Sequence, residues 1–425
     1  MNNKKVIKWL SYQKKINKIN VTKKNIYNLV NWNFDNNEIK HKSGQFFQII
    51  GINVVSNFFK KNWDQPIIVQ NENGILGVLR KKIKLMSFYL LQAKAEPGNI
   101  NKIQISPTVQ ATQSNYKRVH GGEKTRFLSY FLKKLFFMKS KQTEQGFRYL
   151  YKYNTNIVVN LKKKINIPKN YYWFSKSDLI YLIKKKNIIN MDTISVFSCL
   201  ISKKKIDKPL FTDFLINKFY KRNEQLSFIR QTKIPLARLR SWKIKKGIIE
   251  HKNKDHFTVI GININTNSRE VKKWEQPIFK GKKLALAGFL TKQINQTTHY
   301  LVRYVVKPGL LKGNFTCTVN TSDIFKYNNN ENLPSIQKKI LKNYFFNKKY
   351  KKNIIYDNIQ SDEGGRFYHS QVRNIVLELN KNDKVKIDKY HTWVSYNQMI
   401  HLIKKQKFDI EARLLFACSN FENII

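Results

Sequence analysis

The chain repeats itself once along its length, and no other feature limits its possible folds so strongly. Thr22, Leu29, Trp32, Ile39, His41, Phe47 and Gly51 recur at one constant spacing as Thr232, Leu239, Trp242, Ile249, His251, Phe257 and Gly261. After one inserted residue, Trp63, Gln65, Pro66 and Ile67 reappear as Trp274, Gln276, Pro277 and Ile278, and Pro97-Gly98 as Pro308-Gly309. Farther on, Gln142, Gly146, Arg148 and Asn156 face Gln360, Gly364, Arg366 and Asn374; Ser175 and Cys199 return as Ser395 and Cys418. The unit is roughly half the chain, far beyond the ~20 to 50 residues of a solenoid repeat. A duplicated domain is therefore expected, with halves 1–205 and 206–425 that meet between Ile201 and Gln225 in a linker and the opening helix of the second half.

Within each half, the apolar pattern predicts an opening helix (Lys23 to Val30; Ile234 to Arg240) and strands such as Phe46 to Val54 and Phe257 to Ile264. A strand-rich middle follows, and an amphipathic helix closes each half (Ser177 to Lys186; Tyr396 to Lys405). Strands and helices outside strict βαβ alternation point to an α+β fold, mixed or antiparallel sheets flanked by helices. No GxGxxG follows a strand, and no GxxxxGK followed by Ser or Thr occurs, so neither a dinucleotide domain nor a P-loop is indicated.

The stretch from Leu90 to Tyr116 says most about function. Leu90 to Lys94 reads as a buried strand that Glu96, Pro97, Gly98 and Asn99 break as a turn, leaving Glu96 at a strand end. A second strand, Lys102 to Ile105, hands over to Ser106, Pro107, Thr108, Gln110, Thr112, Gln113, Ser114, Asn115 and Tyr116. Exposed polar positions in this chain default to Lys and Asn, so a Lys-free run of donors and acceptors reads as the lining of a cleft that orients a polar ligand.

Lys and Arg number 80 against 27 Asp and Glu, a net charge of +53. Alone, that excess would indicate a nucleic-acid binder. It is spread over the whole length, however, arrives as Lys together with Asn and Ile, and lacks an Arg-rich or RNA-binding signature, as a coding bias toward A and T would produce. No specific nucleic-acid partner is expected, although so basic a surface adheres to polyanions at low salt. Cys199, Cys317 and Cys418 have no CxxC spacing and read as small core residues in a reducing compartment. No apolar run approaches the ~18 residues of a membrane span, and the first residues lack the apolar centre of a signal peptide. A cytoplasmic protein without membrane contact is expected.

Several motifs in order carry a resemblance: WDQPI at Trp63 to Ile67, QAKAEPGN at Gln92 to Asn99, SPTVQATQSNY at Ser106 to Tyr116, RVHGG at Arg118 to Gly122, QTEQG at Gln142 to Gly146 and NMD at Asn190 to Asp192. Together they resemble the NDP-hexose 2,3-dehydratase family over nearly the whole chain. The resemblance implies two Nudix-like domains per chain, a homodimer, and action on a dTDP-4-keto-6-deoxyhexose with no metal or redox cofactor. It implies loss of the C2 hydroxyl as water and a 3,4-diketo-2,6-dideoxy product that a partner 3-ketoreductase takes up. The acid-rich REXXEE-type helix of a metal-dependent Nudix pyrophosphatase is absent.

Such an elimination needs three roles: a base for the C3 hydrogen, stabilisation of the enolate at the C4 oxygen, and an acid for the departing hydroxyl. The candidates beside the polar run are Glu96 as base with Glu144 second, Lys94 and Tyr116 for the carbonyl, and His120 or Tyr149 as acid. Gln92, Asn99, Ser106, Thr108, Gln110, Thr112, Ser114, Asn115, Arg118, Gln142, Arg148 and Tyr149 are expected to bind substrate. Plainer readings stand beside these. Lys94 and Glu96 share a strand face as a surface ion pair would, His120 suits a turn before Gly121-Gly122, and Asn115 and Tyr116 suit a helix cap. His41, His251, Trp63 and Trp274, being duplicated, read as structural. Arg148 and Arg366 suit either a diphosphate or a structural carboxylate, and Gln110 and Gln142 either ligand contact or loop bracing. Opposite Glu96 the second half has Lys307, while DEGGRFYH at Asp362 to His369 is fully developed. The first half is thus expected to hold the site, with the second bracing it or offering another nucleotide pocket. The alternative is a non-catalytic nucleotide or RNA binder on the same scaffold.

Overall fold

The computed structural model describes residues 3–35, 37–59, 62–112, 124–133, 135–254, 256–281, 284–321 and 335–425. Four mixed sheets, two per half, carry the architecture. In the first half a six-stranded sheet is built on Gln48–Ser56 and Trp63–Val69, and a seven-stranded sheet on Gly74–Ile83, Met86–Ala95 and Tyr153–Asn160. The second half repeats both, on Thr258–Thr266 and Lys273–Lys280, and on Ala285–Ile294, Thr297–Val305 and Gln371–Glu378. Each seven-stranded sheet has one central parallel pairing, Tyr153–Asn160 with Gly74–Ile83 and Gln371–Glu378 with Ala285–Ile294. The rest of the pairing within them is antiparallel. The duplication and the α+β reading agree with this arrangement.

The opening helices do not. Residues predicted as helix at Lys23 to Val30 and Ile234 to Arg240 form instead the end of a strand and a single 3-10 turn: Ile19–Lys24 then Ile26–Asn28, and Ile229–Ile234 then Leu236–Arg238. Ile26 and Leu29 have helical spacing, but one turn suffices to bury both, as it does for Leu236 and Leu239. The true opening helices lie upstream at Lys4–Ile16 and Asp213–Leu226.

The two strands cross between halves. Ile19–Lys24 pairs antiparallel with Thr258–Thr266 of the second half, and Ile229–Ile234 pairs antiparallel with Gln48–Ser56 of the first. The indoles follow: Trp32 donates to the Glu275 carbonyl and Trp242 to the Asp64 carbonyl, both at 2.8 Å. One apolar core lies between the six-stranded sheets, with Trp32, Phe47 and Ile49 meeting Trp242, Phe257 and Val259. A larger core joins the seven-stranded sheets through helices Met191–Ser198 and Ile410–Ser419. Neither half buries its apolar surface without the other.

The duplicated Pro-Gly pairs lock the halves at the site. Gly98 N donates to the Gly364 carbonyl at 2.7 Å, and a Cβ at Gly98 would stand 1.9 Å from the Phe367 carbonyl oxygen. In the mirror arrangement, the Pro308 carbonyl accepts from Phe147 N at 2.7 Å, and Gly309 (φ +87°) would place a Cβ 1.9 Å from the Tyr149 carbonyl oxygen. Only glycine permits either approach. The loop around Glu363 is thereby delivered to the first half's strand end at Glu96.

Among the described residues no helix is long and apolar enough to cross a membrane, and no group of three or more His, Cys, Asp or Glu is placed to hold a metal. The three cysteines are buried. The duplicated aromatics behave alike in both halves: Trp63 and Trp274 each donate to the glutamine two residues on, at 2.9 Å, and His41 and His251 sit edge-on to Trp32 and Trp242.

Candidate active site

A cavity of about 500 Å³ opens between the halves. The strand Met86–Ala95 supplies Gln92 and Lys94 to its wall, with Glu96 just beyond the strand, and the short strand Val109–Ala111 supplies Gln110. Glu144, Tyr149, Lys152 and Asn154 enter from the segment around Tyr149–Leu150 and Tyr153–Asn160, and Asp192 from the first turn of Met191–Ser198. The second half contributes Arg269, Glu270, Trp274, Glu363 and Arg366.

Lys94 and Glu96 are both buried, so the surface ion pair is ruled out; their charged atoms lie 3.1 Å apart. Lys94 also donates to Gln110 Oε1 at 2.6 Å, which fixes the ammonium between a carboxylate and an amide. Burial pushes the Glu96 carboxyl upward, but Lys94, Arg269 and a hydrogen bond from Gln110 outweigh it and hold the group below the usual carboxylate range. Glu96 Oε2 is buried with no hydrogen-bond partner among the described residues.

Glu144 has the opposite balance. Burial first, then the Glu363 carboxylate, raise it to about 7 against Arg413, Lys152 and a hydrogen bond from Asn154. Its Oε2 also lacks a partner among the described residues. Burial lowers Lys152 to about 8 in spite of Glu144. Glu363 accepts the Tyr149 hydroxyl at 2.7 Å and is itself raised by burial, with Arg366 opposing and Glu96 reinforcing. Tyr149 is raised well above its ordinary value by burial and by Glu363. Asp192 stands well above the carboxylate range through burial and the carboxylates of Glu363, Glu144 and Glu96. Its first-turn position favours the charged form, but the environment wins. One cavity thus holds one carboxyl pulled below its ordinary value and three, Glu144, Asp192 and Glu363, pushed above theirs, the arrangement by which acid and base roles are divided.

The remaining residues predicted for the site separate into three groups. Gln92, Thr108, Gln110, Thr112 and Tyr149 line the cavity with Lys94, Glu96 and Glu144. The Thr108 hydroxyl is taken up by the backbone, accepting from Leu79 N at 2.9 Å and donating to the Leu90 carbonyl, and Thr318 does the same with Leu290 and Leu301. Ser106, Asn99, Gln142 and Arg148 do not line the cavity. Ser106 accepts from Asn190 at 2.9 Å, which ties the polar strand to the helix bearing Asp192. Asn99 sits in the Pro-Gly turn, Gln142 donates to the Ile403 carbonyl at 2.9 Å, and Arg148 lies over Phe257 and Phe367. Its repeat partner Arg366 lies over Phe47 at 4.0 Å and does reach the cavity, with Nε buried and lacking a partner among the described residues. Tyr116, His120, Ser114, Asn115 and Arg118 lie outside the described residues.

Asp192, Glu363, Lys152 and Arg269 were not among the candidates read from sequence. Asp192 closes the NMD motif and Glu363 belongs to the DEGGRFYH segment, so signals existed for both. That Glu363 serves the other half follows only from the interlocked loops. For Lys152 and Arg269 no sequence signal exists.

At the equivalent place in the second half, Lys307 is completely buried and reaches Asp409 at 2.7 Å and Glu411 at 3.2 Å. The charged groups there are paired with one another.

A family model described as NDP-hexose 2,3-dehydratase matches residues 3–200 and again 214–419. The chain is 30% identical to a dTDP-4-dehydro-6-deoxy-alpha-D-glucopyranose 2,3-dehydratase of Streptomyces violaceoruber, over 96% of this chain and 95% of that protein. It is also 30% identical to an enzyme of the same name from Amycolatopsis orientalis (97% and 89% covered) and 29% identical to one from Saccharopolyspora spinosa (92% and 85%).

Proposed function

The chain belongs to the NDP-hexose 2,3-dehydratase family, and on that premise we propose that it removes the C2 hydroxyl of a dTDP-4-keto-6-deoxyhexose inside the cavity between its halves. The observation that carries the reading is the cluster of four carboxyl groups, Glu96, Glu144, Asp192 and Glu363, around one cavity, with Lys94 paired to the first. The C3 hydrogen is acidified by the C4 carbonyl. A carboxylate takes it, and the electron pair moves onto the C4 oxygen. Glu144 is the better base, because its conjugate acid at about 7 is matched to neutral pH, whereas Glu96 is held low by Lys94 and Arg269. The preference for Glu96 over Glu144 drawn from the sequence is reversed on this ground. Lys94, fixed by Glu96 and Gln110, directs a remaining N–H at the C4 oxygen and stabilises the enolate.

The enolate then re-forms the C4 carbonyl, C2 and C3 become doubly bonded, and the C2 oxygen leaves as water. The resulting C3 enol takes a proton at C2 and becomes the 3-ketone, so the net change is the loss of one water. Arg366 and Arg269 are the cations suited to the diphosphate. A non-catalytic polyanion binder gains nothing from Glu96, Glu144, Asp192 and Glu363 in its binding cavity.

We further propose that each half, 1–205 and 206–425, is a Nudix-like unit and that two chains pair in a cytoplasmic homodimer, all of which rests on the family resemblance. A vicinal diketone is reactive, so a 3-ketoreductase is the expected consumer of the product. The test is incubation of purified protein with dTDP-4-keto-6-deoxyglucose and a 3-ketoreductase. Appearance of the 2-deoxy sugar nucleotide supports the proposal. No turnover, together with RNA retention that persists at high salt, supports the binder.

A further inference from the structure

The duplication gives an internal control for a residue that the mechanism above leaves unused. Asp192 follows the helix cap Asn190, as Glu411 follows the cap Asp409, and Glu96 precedes Pro97-Gly98 as Lys307 precedes Pro308-Gly309. In the second half these two positions touch: Lys307 Nζ lies 3.2 Å from Glu411 Oε2. At the corresponding positions the first half has two carboxyls, Glu96 and Asp192, both lining one cavity, where its copy has an ion pair. Lys94 neutralises Glu96 at 3.1 Å, and no cation is hydrogen-bonded to Asp192 among the described residues. Buried carboxyls that crowd one cavity disfavour one another's ionisation. Of the charged groups acting most strongly on Asp192, Glu363, Glu144 and Glu96 raise it and Lys94 opposes them.

Asp192 is also rigidly placed. Asn190 accepts from Thr193 N at 2.9 Å and donates to Ser106 at 2.9 Å, and the Thr193 hydroxyl donates to Asn190 Oδ1 at 2.7 Å. The first helical turn is thus pinned to the strand that runs along the cavity, with Asp192 at the cavity wall.

We infer that Asp192 is the general acid that protonates the C2 oxygen as it departs. In this step the Asp192 O–H bond breaks and its proton goes to the leaving oxygen. The C2–O bond breaks with its electron pair on that oxygen, and the enolate supplies the pair that forms the C2–C3 double bond. Asp192 is left as a carboxylate and regains a proton as Glu144 releases the one taken from C3. The inference rests on the dehydratase reading above.

The test compares two substrates. In a dTDP-4-keto-6-deoxyglucose whose C2 hydroxyl is replaced by fluorine, the leaving group is fluoride, which needs no proton. Asp192→Asn is expected to slow loss of water at least ~100-fold, the lower range of general-acid contributions, while fluoride release stays within about threefold of wild type. Asp192→Glu, which carries the side chain of the second-half counterpart, is expected to restore a measurable part of the water loss. Glu144→Gln is expected to lose both reactions, because both need the C3 proton removed. Fluoride release by Asp192→Asn that falls as far as water loss, or water loss that is undiminished, overturns the inference. Calorimetric titration with the fluoro compound separates a misfolded variant from an acid-deficient one. Wild-type protein inert toward both compounds would instead refute the dehydratase reading.

Discussion

The two halves hold the same frame and fill it differently. In the second half Lys307, Asp409 and Glu411 close on one another out of reach of solvent. In the first, Glu96, Glu144 and Asp192 share a cavity with Glu363, and three of the four sit above the usual carboxylate range. Around the pseudo-symmetric loops the pattern holds. Tyr149 and Glu363 form a hydrogen bond on the first-half side, whereas their repeat counterparts are Phe367 and Gln145. A frame that needs only to fold pairs its buried charges, and one that needs to move protons leaves them competing. The second frame is therefore a measure of what the first gives up in stability to hold reactive carboxyls.

Exchanging the two fillings breaks the comparison most severely. Glu96→Lys removes the carboxylate that pairs with buried Lys94 and sets a second ammonium beside it; turnover is expected to fall at least ~100-fold and the melting temperature to fall with it, because breaking a buried pair leaves an uncompensated charge, read by paired product assays and thermal melts. The reverse exchange, Lys307→Glu, replaces the ammonium that pairs with Asp409 and Glu411 by a third buried carboxylate. It is expected to destabilise the fold by about 3 to 5 kcal/mol, the magnitude seen when one partner of a buried ion pair is removed. Denaturant unfolding would show it, and a loss under 1 kcal/mol would mean that the second frame is open to water.

A smaller effect sharpens the comparison through pH. The Glu144 pKa is raised in the folded chain to about 7 from an ordinary 4.5, so the native state holds the proton more tightly than the unfolded state does. The stability from that proton is complete below about 4.5 and is lost as pH rises through about 7. Glu144→Gln, permanently neutral, is expected to be more stable than wild type at pH 8 by an amount on the order of 3 kcal/mol, and equal to it near pH 4. A difference that does not vary between these pH values contradicts the raised pKa. The least asymmetric effect is expected at the loops. Gly98→Ala and Gly309→Ala each drive a methyl into a carbonyl of the opposite half and are expected to cost similar stability, about 1 to 3 kcal/mol each, by thermal melts. Unequal costs would show that one Pro-Gly lock matters more than the other.

How much of this was legible in the sequence follows from what repetition can and cannot encode. Matched residues such as Trp63 with Trp274 and Gly51 with Gly261 reveal two equal units. They cannot reveal that Ile19–Lys24 pairs in the second unit and Ile229–Ile234 in the first, because either strand fits either copy. The spacing of Ile26 and Leu29 imitates a helix, and only the sheet partner decides otherwise. At the site, Lys94 and Glu96 on one strand face were readable as a pair, but their burial depends on the second half packing over them. Asp192 was in plain view within NMD and resembled an ordinary first-turn acid. Glu363 was hidden by linear distance, since it reaches Tyr149 only after Gly98 docks on Gly364.

The central claim, that proton removal takes place in the first-half frame at Glu144, is tested most directly by one rate: single-turnover dehydration of saturating dTDP-4-keto-6-deoxyglucose by Glu144→Gln. The account predicts a fall of at least ~100-fold from wild type. A rate within about threefold of wild type would contradict it.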